Sequence, residues 1–190
     1  MLPDYAVLFS LPISIFFTSK YIYSAYKDKI QPNIVSWIVW SVASLLSFAS
    51  SFLSGTNFLQ IFSTFTAGFF PFLTVIVLII IHKGRFKLSK LDLVCFVLAI
   101  LGLVLWKTLD NPIYAYIAGI LADMFGFFPT IFKTLKEPKS EDYKIYLIGV
   151  ANVILQLLVI QKFELLTLGF PLYIFVFNSL EVFLILRNKN

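Results

Sequence analysis

The sequence has little charge, one cysteine and one histidine. Only 13% of its 190 residues are charged, whereas 59% are hydrophobic and 18% are aromatic, and the mean hydropathy is +0.91. This composition excludes a soluble enzyme domain and a disordered chain, because both carry much more polar surface. Cys95 has no partner for a disulfide within the chain. With His82 as the one histidine and no Gly-rich phosphate loop or HExxH pattern, the sequence predicts no metal site, no cofactor and no enzymatic activity.

Long apolar segments are what the sequence has instead. Seven of them occur, at residues 5–23, 34–53, 58–81, 88–106, 113–132, 143–160 and 165–186. Each is close to the roughly 20 residues that a helix needs to cross a bilayer, and their internal Pro and Gly residues and lack of alternation exclude barrel strands. The predicted fold class is an all-α polytopic membrane protein with seven transmembrane helices. The first segment follows Asp4 and no basic residue, so we expect it to be retained and not cleaved as a signal peptide.

The basic residues are distributed unequally between the two sides of the predicted membrane protein. With the N-terminus outside, 13 of the 15 Lys and Arg residues fall on the cytoplasmic side, and only Lys107 and Lys162 fall outside. The positive-inside rule therefore predicts an outside N-terminus and a cytoplasmic C-terminus. Because apolar spans separate these charges, they form no continuous basic face, and nucleic acid is excluded as a partner. The expected location is a cell membrane, and the compact size favours the bacterial cytoplasmic membrane.

A weak internal repeat relates the two halves of the chain. Sliding the sequence by 109 places residues 20–46 over residues 129–155 without a gap, with Trp37 over Tyr146. A second similarity relates the Gly-Phe-Phe-Pro sequence that ends at Pro71 to the Gly-Phe-Pro sequence that ends at Pro171. The predicted domains are a first three-helix repeat at residues 1–86, a linker helix at residues 87–110 and a second three-helix repeat at residues 111–190. An odd helix between the repeats makes them parallel, which is the plan of the SWEET transporters.

One loop motif carries a resemblance to a known family. Pro129-Thr130 opens a basic stretch that closes on Lys139-Ser140-Glu141, and this resembles the PQ-loop pattern, although Thr130 stands where Gln is expected. The first repeat has Lys20-Tyr21 in place of the pair. The chain thus resembles a divergent branch of the PQ-loop and SWEET-like transporters. The resemblance implies transport of a small polar solute by alternating access between the two repeats.

The second helix contains two tryptophans three residues apart. The stretch from Ser36 to Trp40 has a Trp-x-x-Trp spacing, which is similar to a motif of the nicotinamide riboside transporters. Trp37 and Trp40 share one face of the helix and could hold an aromatic ring. The alternative for Trp37 is an interfacial belt, because it lies only about 5 Å inside its segment.

Four polar residues inside the apolar segments are candidates for binding a solute. Asp123 lies about 15 Å deep, where an ionised carboxylate is costly, and could couple an ion, accept hydrogen bonds from a solute or lock a neighbouring helix. Asn152 and Gln156 share a face of the sixth helix, and the resemblance to SWEET-like transporters implies a site role for Asn178 of the seventh. Glu181 is expected to pair with Arg187 or reach the interface. With the tryptophans, the predicted substrate-binding residues are Trp37, Trp40, Asp123, Asn152, Gln156 and Asn178.

Prolines suggest how such a protein moves. They are expected to interrupt the first, third, fifth and seventh helices and to act as hinges at Pro12, Pro71, Pro129 and Pro171. The sequence therefore predicts a transporter of a sugar or a vitamin-like solute whose partners are the lipid bilayer and that solute. The alternative is a membrane scaffold, trafficking factor or receptor whose polar residues serve only in packing. Homo-oligomerisation is left open.

Overall fold

Seven α-helices form the protein in the computed structural model, which describes residues 3–53, 55, 57–84, 86–109, 112–159 and 165–187. Within this part of the chain there is no strand, so the all-α prediction is confirmed. The helices are α1 (Ser10–Tyr26), α2 (Ile34–Leu53), α3 (Phe62–His82), α4 (Lys90–Thr108), α5 (Pro112–Lys136), α6 (Tyr143–Val159) and α7 (Leu165–Arg187). Short 3-10 helices at Asp4–Phe9, Phe58–Ile61 and Pro138–Ser140 precede α1, α3 and α6. Ile160 and Lys162, which entered the sequence predictions, lie outside the described residues.

Side-chain caps fix where α2 and α4 begin. The Asn33 side chain accepts hydrogen bonds from the backbone N–H groups of Val35 and Ser36, at 3.0 and 3.2 Å. At α4, Ser89 and Asp92 form a capping box. The Asn33 amide also donates to the Asp92 carboxylate at 2.7 Å. One residue therefore caps α2 and ties it to the first turn of α4.

We expect replacement of Asn33 by alanine to destabilise the fold by about 1–2 kcal/mol, because it removes a helix cap and a hydrogen bond to a buried carboxylate. A thermal unfolding curve of the detergent-purified variant measures the loss. The matched control is Asn57→Ala, which removes an exposed cap of a short 3-10 helix and should lower the melting temperature less. Equal melting temperatures for the two variants would contradict the role assigned to Asn33.

All four prolines of the predicted hinges lie within helices. Pro71, Pro129 and Pro171 lie inside α3, α5 and α7. Pro12 lies in the first turn of α1, which continues directly from the 3-10 helix Asp4–Phe9. Their role as hinges stays a prediction.

Six of the helices form a closed ring. α3 packs against α1 and α2, and α7 packs in the same way against α5 and α6. Contacts of α2 with α5 and of α1 with α6 close the ring in the order α1, α3, α2, α5, α7, α6. α4 lies outside this ring, packed mainly on α5 with a smaller contact to α2.

The outer surface of the ring suits a membrane. Five helical stretches are long and apolar enough to cross one: Tyr5–Tyr26, Phe62–His82, Lys90–Thr108, Tyr116–Lys136 and Leu168–Arg187. Two shorter apolar helices, Ile34–Ala49 and Tyr143–Val159, complete the seven. Large apolar side chains are exposed along α1 and α4, among them Ile15, Phe16, Val94, Val97 and Leu101. The fold is compatible with a multi-pass membrane protein.

Three connections meet at one end of the ring, which we call the basic end. The backbone N–H of Gln31, between α1 and α2, donates to the carbonyl of Ser140, between α5 and α6, at 2.8 Å. The Asn33–Asp92 bond brings the start of α4 to the same end. Most of the described basic residues lie in or beside these connections. The basic end therefore corresponds to the side that the charge pattern assigns to the cytoplasm.

Candidate functional site

A cavity of about 130 Å³ lies inside the ring of six helices. Its wall contains residues from every helix of the ring, and none of the described residues of α4 contributes to it. The cavity is similar in size to an engineered protein cavity of about 150 Å³ that binds benzene. A flat ring of that size therefore fits inside the bundle.

All six residues that the sequence analysis selected as substrate-binding line this cavity. They are Trp37, Trp40, Asp123, Asn152, Gln156 and Asn178. They come from four different helices, so the ring, and not their order in the chain, brings them together. Their role in binding stays a prediction, whereas their common location is a feature of the structure.

Asp123 is the charged residue of the cavity wall. Its side chain is fully buried, and its Oδ2 atom accepts a hydrogen bond of 2.9 Å from the hydroxyl of Tyr173 on α7. Tyr173 itself is not part of the cavity wall. The second oxygen, Oδ1, has no hydrogen-bond partner among the described residues. A buried carboxylate oxygen without a partner is costly, and a donor group on a bound solute would satisfy it.

Aromatic rings form the part of the wall nearest the basic end. Trp40 packs against Phe127 with ring centroids 4.5 Å apart and meets Trp37 edge to face at 5.4 Å. Tyr146 lies beside Trp40 at 6.4 Å. Trp37 is only 4% exposed, so the alternative of an interfacial belt facing the lipid is wrong. Both tryptophans lie inside the ring, with the geometry that aromatic pairs prefer.

Amide side chains line the wall toward the other end of the ring. The Asn152 amide donates to the Ser14 hydroxyl at 3.0 Å, which joins α6 to α1. Ser63 donates to the Gln156 side chain, and this bond joins α3 to α6 across the ring. Next to them, the buried apolar residues Ala6, Val7, Phe62 and Val159 form a separate cluster. This end of the cavity is thus bounded by neutral polar bonds and apolar packing.

Gly149 allows α6 and α7 to meet closely inside the cavity. A Cβ atom at this position would lie 2.7 Å from the Asn178 amide nitrogen, which is closer than real Cβ contacts come. Any larger residue here must displace the Asn178 side chain. The small residue therefore keeps the amide of Asn178 at the wall.

The basic end is held together by one acidic residue, Glu141. Tyr21 of α1 donates to its Oε2 atom at 2.6 Å, and Tyr146 of α6 donates to the same atom at 3.2 Å. Lys133 of α5 forms an ion pair with Oε1 and also donates to the backbone carbonyl of Gln31. Glu141 is 4% exposed. Three helices and two connections therefore depend on one buried carboxylate.

Glu181 does not behave as the sequence analysis expected. It was expected to pair with Arg187 or to reach the interface, but its side chain is fully buried while Arg187 is exposed. Neither carboxylate oxygen has a hydrogen-bond partner among the described residues. The expectation failed because position along the helix does not show which face of α7 turns toward α5 and α6.

Sequence reasoning missed the α1 and α3 sides of the wall and the cluster around Glu141. The residue numbers of Ser14 and Asp123 differ by 109, which is the repeat offset, and so do those of Thr18 and Phe127. All four residues line the cavity. The repeat alignment could therefore have found them. No sequence signal connects Tyr21 with Glu141, because the contact joins residues 120 positions apart.

Comparison with protein-family models, with curated proteins and with solved structures finds no match to this chain.

Proposed function

We propose that this protein is a membrane transporter that carries a small polar solute through the central cavity by alternating access. The observation that carries the proposal is the buried carboxylate of Asp123, with one oxygen unpartnered among the described residues, on the wall of a cavity lined by six helices. A carboxylate in such a place requires a ligand, a proton or a strong structural reason. A bound solute with a donor group supplies the missing partner.

The arrangement of the ring supports a plan of two parallel three-helix repeats with α4 as the linker. The contacts of α3 with α1 and α2 correspond to those of α7 with α5 and α6. Wall residues also fall in pairs that are 109 positions apart: Ser14 with Asp123, Thr18 with Phe127, Trp37 with Tyr146, Trp40 with Gly149 and Ser44 with Val153. A two-fold relation between the halves, about an axis along the membrane normal, accounts for both features. The same plan underlies the resemblance to the PQ-loop and SWEET-like transporters.

The chemistry of the wall favours a solute with a polar part and a flat or apolar part. Asp123 offers an acceptor, the amides of Asn152 and Asn178 offer both donors and acceptors, and Trp40 offers an aromatic face. Sugars stack on aromatic rings through their C–H faces and donate hydroxyl groups. A ribosylated vitamin combines a ring with a ribose. Both classes stay within the proposal.

The two ends of the cavity differ in a way that suits alternating access. At one end, the Ser63–Gln156 bond and the apolar cluster of Phe62 and Val159 close the ring. At the basic end, the bonds of Glu141 close it. Opening either end breaks a small set of bonds and leaves the other intact. The prolines inside α3, α5 and α7 provide bends about which the helices can move.

A solute panel tests the proposal. We expect one class among D-glucose, sucrose, uridine, thiamine and nicotinamide riboside to stabilise the detergent-purified chain by about 2.7 kcal/mol at 100 times its dissociation constant. Thermal unfolding measures the shift. Fluorescence gives a second reading, because two of the three tryptophans line the cavity. A Trp106→Phe background removes emission from the tryptophan that lies outside the wall.

The Trp40 position separates the two solute classes. In the Trp106→Phe background, Trp40→Ala should abolish binding of nicotinamide riboside by removing the ring on which the base stacks, whereas Trp40→Phe should retain most of it. Sugar binding should weaken less, because hydroxyl contacts to Asp123 remain. If no solute shifts the melting temperature or the emission, the scaffold alternative replaces transport.

A further inference from the structure

Glu181 is a buried acidic residue that has no role in the proposed solute-binding site. It does not line the cavity, it is fully buried, and both of its oxygens lack hydrogen-bond partners among the described residues. Its neighbour on α5, Thr134, is also fully buried, and the Thr134 hydroxyl is the donor next to Glu181, although the two groups form no hydrogen bond of normal geometry. An ionised carboxylate in such surroundings has lost its hydration and has gained little in return.

The charged groups around Glu181 are few and belong to the closure of the basic end. They are Lys133 from α5 and Glu141 from the connection before α6, and the Tyr146 hydroxyl faces it from α6. Asp142, which follows Glu141, is half-buried and faces Tyr21. The other charged residues near this end of the neighbouring elements are exposed, namely Lys136, Glu137, Lys139 and Lys144, as is Arg187 of α7 itself. Lys133 is already bound to Glu141. One partly exposed ammonium group thus faces two buried carboxyl groups.

The charges of these groups do not balance, which indicates that a positively charged species binds here. With both glutamates ionised, these three side chains carry two negative charges and one positive charge, and the buried carboxylate of Glu181 has no counterion of its own. We propose that Glu181 binds a proton when the basic end is closed, and that this proton is the coupling ion of the transporter. With Glu181 protonated, Lys133 and Glu141 neutralise each other and no unpaired charge is buried.

Opening of the basic end explains how the proton leaves. Separation of α1 from α5 and α6 breaks the bonds from Tyr21 to Glu141 and from Lys133 to the Gln31 carbonyl. Glu141 is then exposed to water and no longer needs Lys133 as its counterion. The ammonium group of Lys133 is then free to pair with Glu181, whose proton passes to water. Closing reverses both steps, because Lys133 returns to Glu141 and Glu181 takes up a proton again. Lys133 therefore exchanges between two carboxylates, and one proton is bound or released in each cycle.

Infrared spectroscopy of the ligand-free chain tests the proton site without any solute. Near neutral pH, exposed carboxyl groups are ionised, so a carbonyl stretch of a protonated carboxylic acid reports a buried one. We expect this band in the wild-type chain and its loss in Glu181→Gln. The Asp123→Asn variant identifies any band that the cavity carboxyl contributes. Glu137→Gln, an exposed glutamate in the same connection, should leave the spectrum unchanged.

A second variant tests the charge count itself. Glu141→Gln frees Lys133 to neutralise Glu181, so the Glu181 band should disappear although Glu181 is intact. A purely structural role for Glu181 predicts no such loss. This variant also decides the matter if Glu181→Gln does not fold. The proposal is overturned if the carbonyl band persists in these variants or is absent from the wild-type chain. In either case, a rise in melting temperature that sodium induces and that depends on Glu181 would assign the site to a metal cation instead.

The coupling step rests on the proposed transport function, and the measurements separate the two. An imposed pH gradient should drive uptake of the panel solute into vesicles with the wild-type chain, and this drive should be lost in Glu181→Gln. If the panel yields no solute while the band behaves as expected, the transport proposal fails and the proton site stands. If a solute binds but Glu181→Gln keeps the band, the proton site fails and transport stands.

Discussion

Replacement of Asp123 by asparagine is expected to weaken solute binding by about 10- to 100-fold. The substitution keeps the size of the side chain and an oxygen for the Tyr173 hydroxyl, but removes the charge from the oxygen that has no partner. A hydrogen bond to a charged group contributes about 1.5–3 kcal/mol, and each 1.4 kcal/mol is tenfold in affinity. Titration of the variant with the panel solute that stabilises the wild-type chain measures the loss. Asp123→Ala should weaken solute binding further, because it also leaves the Tyr173 hydroxyl without its hydrogen-bond partner.

The matched control is Asp92→Asn. Asp92 is also a buried carboxylate, but it belongs to the capping box of α4 and lies outside the cavity wall. The control should lower the melting temperature while the dissociation constant stays within about twofold of the wild-type value. If the two variants lose affinity equally, Asp123 acts through the stability of the fold and not through contact with the solute.

Replacement of Gly68 by alanine is expected to be the most destabilising of the small substitutions in the ring. A Cβ atom at this position would lie 2.7 Å from Cγ of Leu45 and 2.8 Å from its backbone nitrogen. A backbone atom cannot turn aside as a side chain does, so α3 must move away from α2. Overpacking of this kind costs about 1–3 kcal/mol, and each kcal/mol lowers the melting temperature of a chain of this size by roughly 2–4 °C.

Gly119 provides the comparison for Gly68. It is a buried glycine of α5, and a Cβ there would meet Trp106 of α4 at 3.2 Å, through a side-chain atom. Gly119→Ala should therefore lower the melting temperature clearly less than Gly68→Ala. Similar losses in the two variants would show that the α2–α3 contact is no tighter than the contact of α4 with the ring.

The helices could be predicted well because their signal is local. Apolar length alone placed α2 at residues 34–53, and the structure has the same bounds. The repeat offset is also visible in the helices, since α2 begins at Ile34 and α6 at Tyr143, which are 109 positions apart. What composition does not show is where 3-10 helix gives way to α-helix within the first apolar segment, between Phe9 and Ser10.

The wall of the cavity was predictable where polar residues interrupt an apolar run and at the pair of Trp37 and Trp40. Asp123, Asn152 and Gln156 stand out in this way, and all three line the cavity. Tyr173 and Tyr21 do not stand out, because tyrosine is common throughout the chain and a hydroxyl gains meaning only from its partner. The partners are distant in sequence, and no periodicity encodes which helix lies opposite. Glu181 was recognised as unusual, but its burial depends on that same packing.

The position of α4 has a consequence for the whole topology. α4 lies outside the ring, so its contribution is to the direction of the chain. As a single helix between the two repeats, it returns the chain to the side from which α1 started. The connections that hold Gln31 and Ser140 are bonded to each other at one end, which requires that α1 and α5 run in the same direction. Without α4, the second half would insert upside down, and Lys133 and Glu141 would face the wrong end of the bundle.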